Sequence, residues 1–153
     1  MSKAFLPEDT PPEDVELGLP ERAPGPHPIT RAGHRRLTEE RQRLERSGEN
    51  PRRLRIVERA LASVVVLEPA LFDDGAGFGC EVEVEDEQGV RRTYILVGPD
   101  EIEPSQGRIS AASPLGELLH GAQAGDEIEL ARGRRTEVLE VLAVRVPTDP
   151  DAS

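Results

Sequence analysis

The spacing of the apolar residues changes near Val64, and this change limits what the chain can fold into. Before it, Leu54, Val57 and Leu61 lead up to Val64 at spacings of three, four and three, the repeat of a helix with one apolar face. After it, the stretch EVEVE at residues 81–85 shows the twofold repeat of a strand with one buried face. The sequence therefore predicts an α+β fold in which a helical segment precedes a β-domain.

Residues 29–63 are interpreted as a short antiparallel helical hairpin. Thr30 is a suitable N-cap for a helix over residues 31–46. At about 1.5 Å per residue, this helix is about 24 Å long. Pro51, a residue that the first helical turn tolerates, begins the second helix. The predicted tip between the two helices consists of Gly48, Glu49 and Asn50.

Residues 64–147 are interpreted as a β-domain with one short helix. We predict antiparallel strands, since no connection is long enough for repeated parallel crossovers. The helix begins after the N-cap Ser113 with Pro114 at its first position, and it ends before Gly121. The predicted strands are Val64–Leu67, Glu81–Asp86, Val90–Val97, Arg108–Ala111, Glu127–Leu130 and Thr136–Val144.

Charge is unevenly distributed along the chain, whose net charge is -11. Residues 1–28 carry six acids and two bases, residues 29–63 five acids and ten bases, and residues 64–153 nineteen acids and seven bases. The first segment is also rich in proline, so we predict that it is a disordered acidic tail, as are residues 148–153. The acidic body would repel a phosphate backbone, so sequence-independent DNA binding by the whole molecule is not expected. We also expect no sequence-specific nucleic acid partner. Only the basic hairpin could approach nucleic acid.

Residue types that often bind metals are few and scattered. Cys80 is the single cysteine, which excludes an internal disulfide and a cysteine-based zinc cluster. The three histidines lack the spacing of metal ligands, so we expect neither a metal nor a cofactor. No run approaches the roughly 18 apolar residues that span a bilayer, and the first residues lack the apolar core of a signal peptide. We therefore expect a cytoplasmic protein with no membrane partner.

The stretch ISAASPLGELLHGAQAGDEIEL at 109–130 closely resembles the C-terminal signature of the Gre family of bacterial transcription elongation factors. The flanking TYILVGPDEIEPSQGRIS, the segment ITRAGHRRL at 29–37 and the opening MSKAF fit the same family. The resemblance covers about Ile29 to Val144. It implies that the β-domain has an FKBP-like topology and follows a helical hairpin.

The resemblance also implies a partner, bacterial RNA polymerase. In the Gre family the β-domain docks on the rim of the polymerase secondary channel and the hairpin enters the channel. Ala112 stands where some relatives have a polar or acidic residue, so one hydrogen bond to polymerase is expected to be missing. A cap and a first-turn proline also explain two of the docking candidates without any partner. Those candidates, carried over by motif position, are Ser110, Ser113, Pro114, Leu115 and Gly116.

Catalytic residues are not expected in this chain. Family members that stimulate RNA cleavage place two acids at the hairpin tip, because a single carboxylate supplies too little charge to fix a metal ion. Here Glu49 and Asn50 match the family, but Arg46 stands where the paired aspartate belongs. The arms are also several helical turns shorter than the family's. We therefore expect a noncatalytic, monomeric polymerase-binding protein that modulates elongation.

Two other classes of function remain open. One is an enzyme, either a genuine cleavage-stimulating factor or, by fold analogy alone, a prolyl isomerase. The isomerase is disfavoured because Phe72, Phe78 and Tyr94 are too few for an aromatic-lined pocket. The other is an interaction module with a different partner, in which the acidic tail and the arginines of the hairpin bind each other or another protein. Such an autoinhibited state would be salt-sensitive.

Overall fold

A computed structural model describes residues 12–148. Predictions for residues 1–11 and 149–153 lie outside this range. None of the described helices is long and apolar enough to cross a membrane. The first part of the chain forms α1 (Pro12–Glu16), β1 (His27–Ile29), α2 (Arg31–Ser47), α3 (Pro51–Ser63) and β2 (Val64–Val66). The second part forms β3 (Glu81–Glu85), β4 (Arg91–Val97), a 3-10 turn (Pro104–Gln106), β5 (Arg108–Ser110), α4 (Pro114–Leu119), β6 (Glu127–Arg132) and β7 (Arg135–Arg145).

Helices α2 and α3 form the predicted antiparallel hairpin. The side chain of Thr30 accepts a hydrogen bond from the backbone N–H of Gly33 and so caps α2. Asn50 caps α3 in the same way, and Gly48 ends α2 in the left-handed conformation that glycine adopts without strain. The helices pack through a small aliphatic cluster of Ile29, Leu37, Val57 and Ala60, with Leu44, Leu61 and Val64 against it.

Five strands form a sheet in the order β5-β4-β3-β7-β6. Three of its four pairings are antiparallel, as predicted, but β5 lies parallel to β4. Strands β1 and β2 form a second parallel pair. The prediction that all strands are antiparallel was therefore wrong for two pairs. Residues 98–107 carry the chain back to a three-residue edge strand with a single 3-10 turn, and the hairpin itself connects β1 to β2.

The main core lies between one face of the sheet and α4. Val82 and Val84 of β3, Leu96 of β4 and Leu139 and Val141 of β7 point to this face and are almost fully buried. Leu119 of α4 completes the cluster. The α+β fold class predicted from the sequence, a helical hairpin followed by a β-domain with one short helix, is confirmed.

The acidic segment before the hairpin differs from its prediction over residues 12–28. It forms α1 and β1 and lies against the hairpin and the β-domain. The physical reason is pairing of charge rather than burial of apolar surface. Asp14 is 3% exposed and forms an ion pair with Arg55, while Arg22 forms one with Asp100. Composition alone does not reveal partners that are 41 and 78 residues away.

Candidate functional site

The loop that follows β5 is the first part of the candidate site. The N–H of Ala111 donates to the carbonyl of Val97 (2.9 Å), which ties the loop to β4. The hydroxyl oxygen of Ser110 accepts from the N–H of Ala112 (3.1 Å) and so closes a local turn. Ser110 therefore has a role in shaping the loop that the sequence did not indicate.

Ser113 connects this loop to α4 through two hydrogen bonds. Its hydroxyl donates to the carbonyl of Ser110 (2.7 Å) and accepts from the N–H of Gly116 (3.0 Å). Pro114 follows at the first helical position with its ring exposed to solvent. The cap predicted at Ser113 is thus confirmed, and Pro114 is the residue that the cap presents outward.

Leu115 and Gly116 lie on the inner side of the same loop. Leu115 is half-buried and packs against the main core. Gly116 is buried, and a Cβ at this position would lie 2.1 Å from the carbonyl oxygen of Ser110. The five residues predicted for docking therefore lie together, but only Pro114 is exposed, while Gly116 allows the close approach of loop and helix.

A neighbouring turn extends the exposed surface beyond the predicted residues. Phe72 and Gly75 exchange two backbone hydrogen bonds around Asp73 and Asp74, both of which have positive φ. The ring of Phe72, which is 49% exposed, lies 4.2 Å from that of His120 between centroids. A shallow cavity of about 410 Å³ adjoins this pair, lined by Phe78, Ala111, Ala112, Glu117 and His120.

Sequence reasoning missed this extension because its parts are distant in the chain. The turn is joined to the end of α4 by the N–H of Gly121, which donates to the carbonyl of Ala76, and by the N–H of Ala76, which donates to that of Ala122. The exposed Leu71 and Leu118 lie in the same two segments. We define the docking surface as Ser110, Ala112, Pro114, Leu118 and His120 together with Leu71 and Phe72.

The hairpin tip carries the other predicted residues. The N–H of Gly48 donates to the carbonyl of Leu44 (3.0 Å), and the side-chain oxygen of Asn50 accepts from the N–H of Arg53 (3.0 Å). Both residues therefore shape the turn. Glu49 is exposed, and its side chain points into solvent beside two helix ends. Within residues 12–148, no group of acidic, histidine or cysteine side chains is arranged to hold a metal ion.

One ion pair fastens the two helices near the tip. The guanidinium of Arg53 donates to both carboxylate oxygens of Glu40, at 2.6 and 2.7 Å. These hydrogen bonds lower the pKa of Glu40 and raise that of Arg53. The pair therefore links α2 to α3 below the tip.

The β-domain caps the base of the hairpin. Glu101, whose side chain is 1% exposed, accepts hydrogen bonds from the backbone N–H (2.8 Å) and the hydroxyl of Thr30. A negative side chain at a helix N-terminus is favourable because it faces unpaired N–H groups and the positive end of the helix dipole. Gly33 leaves the space for it, since a Cβ there would lie 2.1 Å from the Glu101 carboxylate.

A second contact at this joint comes from the N-terminal segment. Arg22 donates to both carboxylate oxygens of Asp100 (2.8 and 2.7 Å) and to the hydroxyl of Ser63 at the end of α3 (2.9 Å). One turn earlier in α3, Arg59 donates to the carbonyl of Pro20 (2.9 Å). The segment therefore bridges the hairpin and the β-domain.

Comparison with known proteins assigns the chain to a family. The family model described as transcription elongation factor GreA/GreB, C-terminal, matches residues 72–146. GreA of Syntrophobacter fumaroxidans is 34% identical over 152 residues, a match that covers 77% of this chain and 97% of that protein. The chain belongs to the GreA/GreB family of transcription elongation factors.

One further relative and one solved structure are also similar to this Gre-family chain. GreA of Desulfovibrio desulfuricans is 41% identical over 96 residues, which is 60% of this chain and 59% of that protein's length. Among solved structures, the GreA/GreB factor of Nitrosomonas europaea is 24% identical, with a TM-score of 0.43 and coverage of 77% of this chain and 98% of that one. The matched residues 72–146 contain nearly all of the docking surface.

Proposed function

We propose that this chain docks on bacterial RNA polymerase at the rim of the secondary channel and modulates elongation without stimulating transcript cleavage. The observation that carries the proposal is the loop at 110–116, in which Ser113 caps α4 and presents Pro114 beside exposed Leu118 and His120. Apolar and aromatic side chains exposed together are typical of a protein-binding surface.

The absence of cleavage is proposed from the tip and from the length of the shaft. Arg46 stands in the position where a cleavage factor needs its second acid, and a positive charge there disfavours a metal ion held by Glu49. The 17 residues of α2 extend about 25 Å at the usual helical rise. A hairpin of this length is expected to stop short of the polymerase catalytic centre. On this proposal the protein is not an enzyme and needs no cofactor.

The polymerase contact can be tested with two matched proline variants. Pro114→Glu keeps α4 intact, because glutamate is favourable in the first turn of a helix, but it places a charge in the docking surface. Pro104 is likewise exposed at the first position of a short helical turn, so Pro104→Glu is its control. In a pull-down with core polymerase, we expect about tenfold weaker binding for Pro114→Glu and native binding for Pro104→Glu.

Two results of this experiment would end the proposal. One is no binding of the native chain under conditions in which a longer family member binds. The other is equal binding by both variants, which would mean that the polymerase contact lies elsewhere on the molecule.

A further inference from the structure

A cavity of about 650 Å³ lies between the first turns of α2 and the sheet, on the face opposite the main core. Its volume falls in the range of small-molecule sites, about 300 to 1,000 Å³. The floor is apolar and contains Ile95 and Val97 of β4, which alternate with the core residue Leu96, together with Pro69. Its walls are formed by two elements that both carry arginines, α2 and β5.

The arginines bring an excess of positive charge to this cavity. Arg35 and Arg36 of α2 and Arg108 of β5 all line it. The pKa of Arg36 is lowered, first by partial burial and then by the positive charge of Arg108. Its nearest carboxylate oxygen, on Glu101, is 3.5 Å away, which is long for a hydrogen bond. Arg108 donates to the carbonyl oxygen of Glu101 (3.2 Å) rather than to a carboxylate.

The carboxylates that line the cavity already have partners other than Arg108. Glu101 accepts two hydrogen bonds from Thr30, and Glu68 forms an ion pair with Arg31. Glu81 faces Arg145 at 3.5 Å. Arg36 keeps only its long contact with Glu101, and Arg108 donates to a carbonyl oxygen, so both guanidinium groups retain donors for an incoming anion.

From this arrangement we infer that the cavity binds a small organic phosphate of the nucleotide class. Two guanidinium forks that approach from different elements suit a group with several anionic oxygens. The apolar floor suits the base or sugar of such a ligand. An extended nucleic acid is a poorer occupant, since the chain has a net charge of -11 and the same face of β3 carries Glu83 and Glu85. This inference does not depend on the polymerase proposal.

Binding at this position would link the hairpin to the β-domain. Arg36 belongs to the hairpin, and Arg108 lies two residues before Ser110 at the start of the docking surface. A phosphate held by both side chains would stabilise the joint that Glu101 already caps. Ligand binding is therefore expected to raise the melting temperature of the native chain.

The test is calorimetric titration of the full chain with ADP and GDP, with Arg36→Gln and Arg108→Gln as variants. We expect saturable binding below about 1 mM and at least about tenfold weaker binding for each variant. Arg46→Gln and Arg52→Gln, at the exposed tip, remove the same charge and are expected to bind as the native chain does. Circular dichroism of every variant shows whether it is folded.

Two further ligands distinguish the kind of anion. Inorganic phosphate is expected to bind more weakly than either nucleotide, because it does not reach the apolar floor. A short single-stranded RNA is expected to bind no more tightly than a mononucleotide. The inference is overturned by no binding of either nucleotide at about 1 mM. Three other results would also overturn it. They are an equal loss of nucleotide affinity in the tip variants, binding of inorganic phosphate as tight as that of a nucleotide, and tighter binding of RNA than of a mononucleotide.

Discussion

Ser110, Ser113 and Gly116 set the shape of the loop through contacts between single atoms. The hydroxyl of Ser113 and the missing side chain of Gly116 both allow the carbonyl of Ser110 to lie against the first turn of α4. Ser113 and Gly116 therefore have a structural role in the loop, and on the proposed function Pro114 is the residue through which the loop meets polymerase.

The variant Gly116→Ala tests this reading of the loop. The new Cβ would lie 2.1 Å from a backbone oxygen, so the loop or the helix must move. We expect the free energy of unfolding to fall by about 1 to 3 kcal/mol, measured by chemical denaturation. Glu117→Ala, on the exposed side of the same helix, should change it by less than about 0.5 kcal/mol. An equally small loss of unfolding free energy for Gly116→Ala would show that the loop accommodates the added Cβ without strain.

At the scale of elements, ion pairs join the hairpin to its surroundings. Glu40 and Arg53 join α2 to α3, Asp14 joins α1 to α3, and Glu101 joins the β-domain to α2. Ion pairs between partly exposed side chains contribute little each. Of the three, only the contact of Glu101 ties the hairpin to the β-domain.

The pair of Glu40 and Arg53 predicts a pH dependence. Because the folded-state pKa of Glu40 is lowered, its contribution is fully present above the unfolded pKa and is lost as the pH falls through the folded pKa. At pH 7, Glu40→Gln should lower the unfolding free energy by about 0.5 to 1 kcal/mol. The difference should shrink as the pH falls below about 4.5. Glu39→Gln, at the exposed neighbouring position, serves as the control. A loss of unfolding free energy for Glu40→Gln that does not change with pH would contradict its assignment to this ion pair.

The contact of α1 with α3 predicts a local effect of Asp14→Asn. The carboxylate of Asp14 is buried against Arg55 (2.5 Å) and near Arg59 (3.6 Å). Removing its charge is expected to release α1 without unfolding the rest, since breaking a buried pair leaves charge uncompensated. Amide exchange at Leu17 and Leu19 should quicken at least about tenfold while that of Val84 stays unchanged. Glu16→Gln, whose side chain is exposed, is the control.

The result for α1 would be contradicted by unchanged exchange at Leu17 and Leu19. It would also bear on the earlier hypothesis of association between tail and hairpin. The structure places α1 on α3, where Asp14 pairs with Arg55 and Arg59. If this contact were autoinhibitory, removal of the first 28 residues would strengthen polymerase binding at low salt.

Much of this molecule follows from local sequence signals, and the exceptions share one cause. The helix ends are indicated by Thr30, Gly48 and Asn50, and a strand is indicated by EVEVE. These signals can be read from the sequence because they depend only on neighbours in the chain. The exceptions depend on partners far along the chain. They are the folding of α1, the parallel pairing of β5 with β4 and the contact of Phe72 with His120. Glu101 is an example, because its carboxylate accepts a hydrogen bond from Thr30, which is 71 residues away in the chain.

On the scale of the whole molecule, the proposed lack of cleavage depends on how far the hairpin reaches. The variant Arg46→Asp would restore an acid three residues before Glu49. If length is a second obstacle, this change alone should not produce cleavage of a backtracked transcript. Cleavage by Arg46→Asp would mean that the tip reaches the catalytic centre and that charge alone had prevented activity.

The most direct test of the central claim is the rate of transcript cleavage in backtracked polymerase complexes at neutral pH, with a cleavage-stimulating Gre factor and increasing amounts of this chain. We expect the rate to fall towards that of polymerase alone, because on the proposed function this chain would occupy the same channel without a pair of acids at its tip. Shortened transcripts produced by this chain alone, or an unchanged rate at saturating amounts of it, would contradict the claim.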